Sequence, residues 1–82
     1  MELVTPVQAS IWLKNNSHNR PLSEERVKEF CQLISSGGWN EKGSFIEVLE
    51  SGLLLNGQHR LNAIVRTNIP VKMYIRTFSK ID

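Results

Sequence analysis

The residues with the sharpest chemical character stand together at Asn56-Gly57-Gln58-His59-Arg60. The apolar pair Leu54-Leu55 runs straight into them, and a helical pattern follows, so a strand ends and a helix begins within about two residues. Asn56 is a good N-cap. Gly57 lets a ligand or another backbone come close. The first N–H groups of a helix lack internal partners and, with the helix dipole, form a natural anion site. At an exposed surface that end is worth only about 0.3–1 kcal/mol per charge, so it needs a second contributor. Arg60 supplies one, because a guanidinium offers phosphate oxygens two donors at once. Helical spacing places Leu61, Ile64 and Val65 on the core stripe. Gly57, Arg60 and Ala63 fall on an adjacent stripe, where two small residues leave room for something to approach the arginine. His59, Asn62 and Arg66 form a polar stripe beside it. Each residue also has a plainer role open to it. Gly57 can simply make the turn, His59 can be a solvated first-turn side chain, and Arg60 can pair with Glu47 or Glu50.

The elements that must position this turn are readable along the chain. Thr5 caps a first helix that Pro6 opens, since proline's missing N–H would be unpaired there anyway. Leu3, Val7 and Ile11 mark its apolar side, Trp12 and Leu13 widen it, and Asn15-Asn16 ends it. His18-Asn19-Arg20-Pro21 is extended or turned, because Pro21 disfavours helical geometry at Arg20. Ser23 caps a second helix with Glu24 and Glu25 in its first turn, where the dipole favours negative charge. Val27, Phe30, Cys31 and Ile34 form its buried stripe. Gly37-Gly38 ends it, and Trp39 folds back onto the core. Glu41-Lys42-Gly43 is a turn. Strands follow over Phe45 to Leu49 and Leu53 to Leu55, joined by a tight loop at Glu50-Ser51-Gly52. The third helix runs from about Gly57 to Thr67 and stops at Asn68, with Ile69-Pro70 preventing continuation. A last strand spans Val71 to Ile75, with Val71, Met73 and Ile75 on one face and Lys72, Tyr74 and Arg76 on the other. Thr77 to Asp82 carries no clear pattern. These elements make one α/β (α+β) domain over residues 1–82.

Size and composition narrow the function further. A domain of 82 residues buries roughly 60% of the surface its unfolded chain would expose. A large internal cleft is not expected, so a ligand would sit on the surface or between subunits of a homo-oligomer. The apolar share is 40% and the charged share 22%, which argues against disorder. Cys31 is the only cysteine, so neither an internal disulfide nor a cysteine-based metal site can form. A small domain without such staples fits a reducing cytoplasm. No apolar run approaches the ~20 residues that span a bilayer, and no signal-peptide pattern follows Met1-Glu2; a membrane partner is not expected. Charge is uneven. Residues 1–51 carry five basic and seven acidic side chains, whereas residues 52–82 carry five basic against Asp82 alone. An anionic partner would be drawn to that last third, which can equally be a solvated basic face.

Asn56-Gly57-Gln58-His59-Arg60-Leu61 resembles the Gly-x-x-Arg signature, often with His before the Arg, of the ParB/sulfiredoxin-like superfamily, and Ala63 completes its longer Gly-x-x-Arg-x-x-Ala form. The NGQHR run is similar to that of DGQHR-type proteins. Thr5-Pro6, Asn19-Arg20-Pro21-Leu22, Gly38-Trp39 and Ile69-Pro70-Val71 are similar to segments of small ParB-like proteins of phages and bacteria, so the resemblance covers nearly the whole chain. It implies about three helices packed on a small mixed sheet, with a nucleotide-phosphate site at the turn. The ligand is CTP in ParB proteins and ATP in sulfiredoxins. By position, Gly57, Gln58, His59 and Arg60 would contact phosphates, Asn56 opens the motif, and Arg20 is a weaker candidate for a second contact. The departures are informative. Sulfiredoxins carry a catalytic Cys where this chain has Gln58, so peroxiredoxin repair is not implied. The chain lacks the helix-turn-helix and dimerisation regions that follow in ParB proteins, so partition-type DNA binding is not implied either. Asn56 replaces the Asp of many relatives and removes a carboxylate that could hold a metal.

Three functions remain open. The first is non-catalytic capture of a nucleotide or nucleotide-derived signal, such as a nucleoside triphosphate or cyclic nucleotide with Mg2+ as a companion ion. The protein would then be a sensor or a sponge, in a host cytoplasm if phage-encoded. The second is an enzyme, a ParB-like nuclease or an NTP hydrolase or phosphotransferase with His59 as acid or base; no paired carboxylates or metal-ligand cluster stand near the motif to serve it. The third is an adaptor for nucleic acid or protein, which the basic C-terminal third permits. Modest charge, with neither a recognition-helix motif nor an aromatic stacking set, speaks against nucleic acid.

Overall fold

The computed structural model describes residues 2–15, 21–39 and 45–79. Three helices pack on a small four-stranded mixed sheet, as the α+β reading expects. In chain order the elements are β1 (Glu2–Val4), α1 (Pro6–Lys14), α2 (Glu24–Ser36), β2 (Phe45–Leu49), β3 (Leu54–Asn56), α3 (Gln58–Thr67) and β4 (Val71–Phe78). The strands lie in the order β1-β4-β2-β3. β4 runs antiparallel to β1 and parallel to β2, and β2 runs antiparallel to β3. The short β1 has no counterpart in the sequence reading. Glu2 to Val4 has no diagnostic pattern and becomes a strand by pairing with Val71 to Met73.

Local chemistry accounts for the element boundaries. The Thr5 hydroxyl accepts from the Gln8 N–H at 3.2 Å, with Pro6 in the first turn of α1. Ser23 does the same for the Arg26 N–H at 3.4 Å. Gly37 ends α2 at φ 77°. Asn68 ends α3 at φ 57°, its N–H donating to the Ile64 carbonyl at 2.9 Å. Gly52 turns the β2–β3 loop at φ 97°. A register shift beside Glu47 and Val48 lets Glu47 face Asn56 while Val48 faces Leu54. β3 therefore begins at Leu54 rather than Leu53, and β4 continues through Thr77 and Phe78 where the sequence shows no pattern.

On the sheet, Val4, Ile46, Val48, Leu54, Val71 and Met73 alternate inward. They meet Ala9, Val27, Ile34, Leu61, Ala63 and Ile64 from the helices in one buried cluster. α3 lies in the middle of the helical layer, against both α1 and α2. The opposite face of the sheet carries no helix among the described residues.

Two core assignments from the sequence are overturned. On α1 the side facing the core is Ala9, with Trp12 and Leu13 packed beside it. Val7 and Ile11 face outward, 71% and 48% exposed, and Leu3 is not on this helix but on β1, 56% exposed. The helix is apolar on both sides, and the one that packs on α3 is the one whose small Ala9 permits close approach. On α3, Val65 is exposed and Ala63 takes its place in the core. Phe30, Cys31 and Trp39 pack against the core as expected, with Trp39 folded back edge-on to Phe30 at 5.6 Å between ring centroids. The turn expected at Glu41-Lys42-Gly43 lies outside the described residues.

Candidate functional site

β3 delivers the chain to the start of α3, but Asn56 does not cap the helix. It ends the strand, and its Nδ2 donates to Glu47 Oε1 at 3.1 Å. The cap position belongs to Gly57, at φ 114° and ψ 12°, and no side chain caps the first turn. The closing register of β3 consumes Asn56, so only a residue tolerant of positive φ can make the turn. Gly57 is also buried, and a Cβ built on it would fall on Cδ1 of Ile46. The close approach that glycine permits here is taken by the fold's own strand β2, not left for a ligand.

The stripe of Gly57, Arg60 and Ala63 is filled in the same way. Ala63 is fully buried, and its carbonyl accepts from the Cys31 thiol at 3.9 Å, a weak contact typical of sulfur. The Arg60 guanidinium carbon lies 5.4 Å from the centroid of the Phe30 ring, within cation–π range. What approaches the arginine from outside its helix is therefore α2. Arg60 forms no ion pair with Glu47 or Glu50 among the described residues. Its Nε is buried and has no hydrogen-bond partner there. Burial, and then the charge of Arg26, press its pKa below the usual guanidinium value.

The polar stripe of α3 docks the start of α2. His59 Nε2 accepts the Ser23 backbone N–H at 2.9 Å. Accepting there leaves the ring proton on Nδ1. Burial first, then Arg26 and Arg60, hold the His59 pKa below 6.5, so the imidazole is neutral near pH 7. Asn62 Nδ2 turns back onto the Gln58 carbonyl at 2.9 Å. Arg66 grips Glu24 through both carboxylate oxygens, at 2.6 and 2.8 Å. That bond pulls the Glu24 carboxyl below its usual range. Gln58 is buried at the first position of α3.

The result is a concentration of donors around the first turn of α3. The uncapped helix end, the half-buried Arg60, Arg26 and the Nδ1–H of His59 share one region. The sequence reading missed Arg26. The signal for it was the spacing of the Ser23 cap, which sets Arg26 in the first turn of a helix that has to pack on α3. Arg20 lies outside the described residues. Among the described residues, no three His, Cys, Asp or Glu side chains gather to hold a metal ion, and no helix is long and apolar enough to cross a membrane. One expectation about aromatic residues also changes. Phe45 and Tyr74 come together on the helix-free face of the sheet at 5.6 Å, with Arg76 stacked 4.1 Å over Phe45, so an aromatic set does exist. Compared with protein-family models, with curated proteins and with solved structures, the chain matches none.

Proposed function

We propose that this chain binds the phosphate of a nucleotide or nucleotide-derived signalling molecule at the first turn of α3 and does not turn it over. The observation that carries the reading is the state of Arg60. Its guanidinium is half-buried over Phe30, its Nε has no partner among the described residues, and Arg26 is near enough for its charge to act on it. A buried donor without a partner costs about 1–3 kcal/mol, more when charged. An anion beside Arg60 and Arg26 would relieve their repulsion. The N-terminal end of the α3 dipole, which no side chain caps, adds to the attraction.

His59 argues against catalysis. Its Nε2 lone pair is engaged by Ser23, so it has no free base, and its depressed pKa leaves it a poor proton reservoir at neutral pH. The resemblance to the ParB/sulfiredoxin-like superfamily supplies the ligand class: a nucleoside triphosphate, with or without Mg2+, or a cyclic nucleotide. A small domain that holds such a molecule unchanged would serve as a sensor or a sponge, in the cytoplasm of a bacterium or a phage-infected host. A nuclease or phosphotransferase is the weaker reading.

A thermal-shift panel of nucleoside triphosphates, cyclic mono- and dinucleotides and NAD-derived signals tests this, with Arg60→Ala and Arg60→Lys alongside. A ligand at ~100 times its Kd adds about 2.7 kcal/mol, which for a domain of this size raises the melting midpoint by roughly 10–20 °C. The expected result is a shift for one ligand class, abolished by Arg60→Ala and only weakened by Arg60→Lys, with intact ligand recovered afterwards. No shift for any ligand, with the variants still folded by circular dichroism, refutes the reading.

A further inference from the structure

The face of the sheet that carries no described helix is not a bland surface. Along β4 the outward residues are Lys72, Tyr74, Arg76 and Phe78, so cation and aromatic alternate on every second residue. Their spacing is roughly 6.6 Å per step. β2 lies beside them in parallel register, setting Phe45 against Tyr74, Glu47 against Arg76 and Leu49 against Phe78. Phe45 and Tyr74 make a tilted pair with 5.6 Å between ring centroids. The Arg76 guanidinium lies 4.1 Å over the Phe45 ring rather than on Glu47, and the Glu47 carboxylate is turned toward β3, where Asn56 donates to it. Tyr74 and Phe78 remain 38% and 40% exposed.

Large rings on the solvent side of a sheet leave apolar surface in water, and covering it is favourable. Here each ring is flanked by a cation, which a purely apolar partner would have to desolvate at a cost. An occupant that offers flat π-faces and regularly spaced anions satisfies both features at once. Single-stranded nucleic acid has that chemistry: its bases stack on aromatic side chains while its phosphates track a basic row. We infer that the open sheet face is a binding platform for single-stranded nucleic acid. Tyr74 and Phe78 take bases, Lys72 and Arg76 meet phosphates, and Phe45 holds the Arg76 guanidinium flat. The platform lies on the other side of the sheet from the helical layer that carries Arg60, and it stands without the nucleotide reading of that turn.

Fluorescence anisotropy of the full chain with a labelled oligothymidylate of about 12 nucleotides, within the span of known single-strand sites, reads the inference directly. Tyr74→Ala is expected to weaken binding roughly 5- to 150-fold, and Tyr74→Phe to restore it. Two phosphate contacts give a slope of log affinity against log salt of about −1.4, a loss of about sevenfold between 50 and 200 mM salt. Arg76→Gln should flatten that slope by about 0.7. Both side chains are exposed, so an unchanged melting midpoint will show that the variants remain folded; Tyr74→Phe serves the same purpose should Tyr74→Ala unfold. Absence of binding to the unaltered chain at low salt overturns the inference. So does binding that survives Tyr74→Ala but is lost in Arg60→Ala, which would assign the oligonucleotide to the α3 turn. Self-association abolished by Tyr74→Ala, with no oligonucleotide bound, would assign the face to a second copy of the chain.

Discussion

Replacing Gly57 with Ala tests why the turn into α3 has its shape. Two costs are separable. The backbone at φ 114° lies where an L side chain is strained, at about 1–2 kcal/mol by the penalty for left-handed geometry. The new Cβ also lands on Cδ1 of Ile46, an overpacking that costs about 1–3 kcal/mol. Together they predict a loss of about 2–5 kcal/mol, against a total stability of roughly 4–12 kcal/mol for a chain of this length. Ile46→Val removes the very methyl that is struck, at about 0.5–1.5 kcal/mol when introduced alone. The double variant should therefore be more stable than the sum of the two losses by about 1–3 kcal/mol, a coupling well above the ~0.5 kcal/mol of independent sites. Urea unfolding of the four proteins, with unchanged m values, measures it. Additive losses would refute the packing argument and return Gly57 to a role in ligand approach.

Two further predictions follow from the helical layer. Because the folded state holds the His59 pKa below 6.5, the unfolded chain takes up that proton first. The contribution to stability is complete above about pH 6.5 and is lost as pH falls from there through the folded pKa. The urea midpoint should drop between about pH 7.5 and about pH 5, and drop less in His59→Gln; equal drops would show that the Ser23–His59 bond does not carry the effect. On α1, Val7→Lys should change stability by less than about 0.5 kcal/mol, whereas Ala9→Leu should cost about 1–3 kcal/mol by crowding α3. Thermal midpoints in the opposite order would mean that the helix packs by the side that carries Val7 and Ile11.

Much of the architecture was legible because its signals are local. The caps at Thr5 and Ser23, the stops at Gly37 and Asn68 and the alternation of Val71, Met73 and Ile75 each depend on neighbours a few residues away. The failures share the opposite property. α1 is apolar on two sides, and only its contact with α3 decides between them. β1 exists because β4 pairs with it. Asn56 is an excellent cap by type, but the register shift in β2 commits its side chain to Glu47 and leaves Gly57 the only residue able to turn. Around Arg60, the motif identified the arginine and the uncapped helix end. It could not show that Phe30 would lie beneath the guanidinium or that Arg26 would share its region, because both come from another helix. The aromatic row on the open face was hidden for the same reason, since Phe45 meets Tyr74 only through the parallel register of β2 and β4.

The strand order has a consequence for how the chain is made. β4 comes last in chain order among the described elements, yet it occupies an interior place in the sheet, with β1 on one side and β2 on the other. Until Val71 to Met73 are available, β1 has no partner, and β2 holds only the short hairpin with β3, an arrangement that is marginal in water. The three helices would meanwhile expose the apolar stripes meant for the sheet. Folding of this domain is thus an all-at-once event that joins the first described strand to the last, slower than its small size suggests. A nascent chain stopped before Val71 should behave as a sticky, chaperone-seeking fragment rather than a weakened version of the protein.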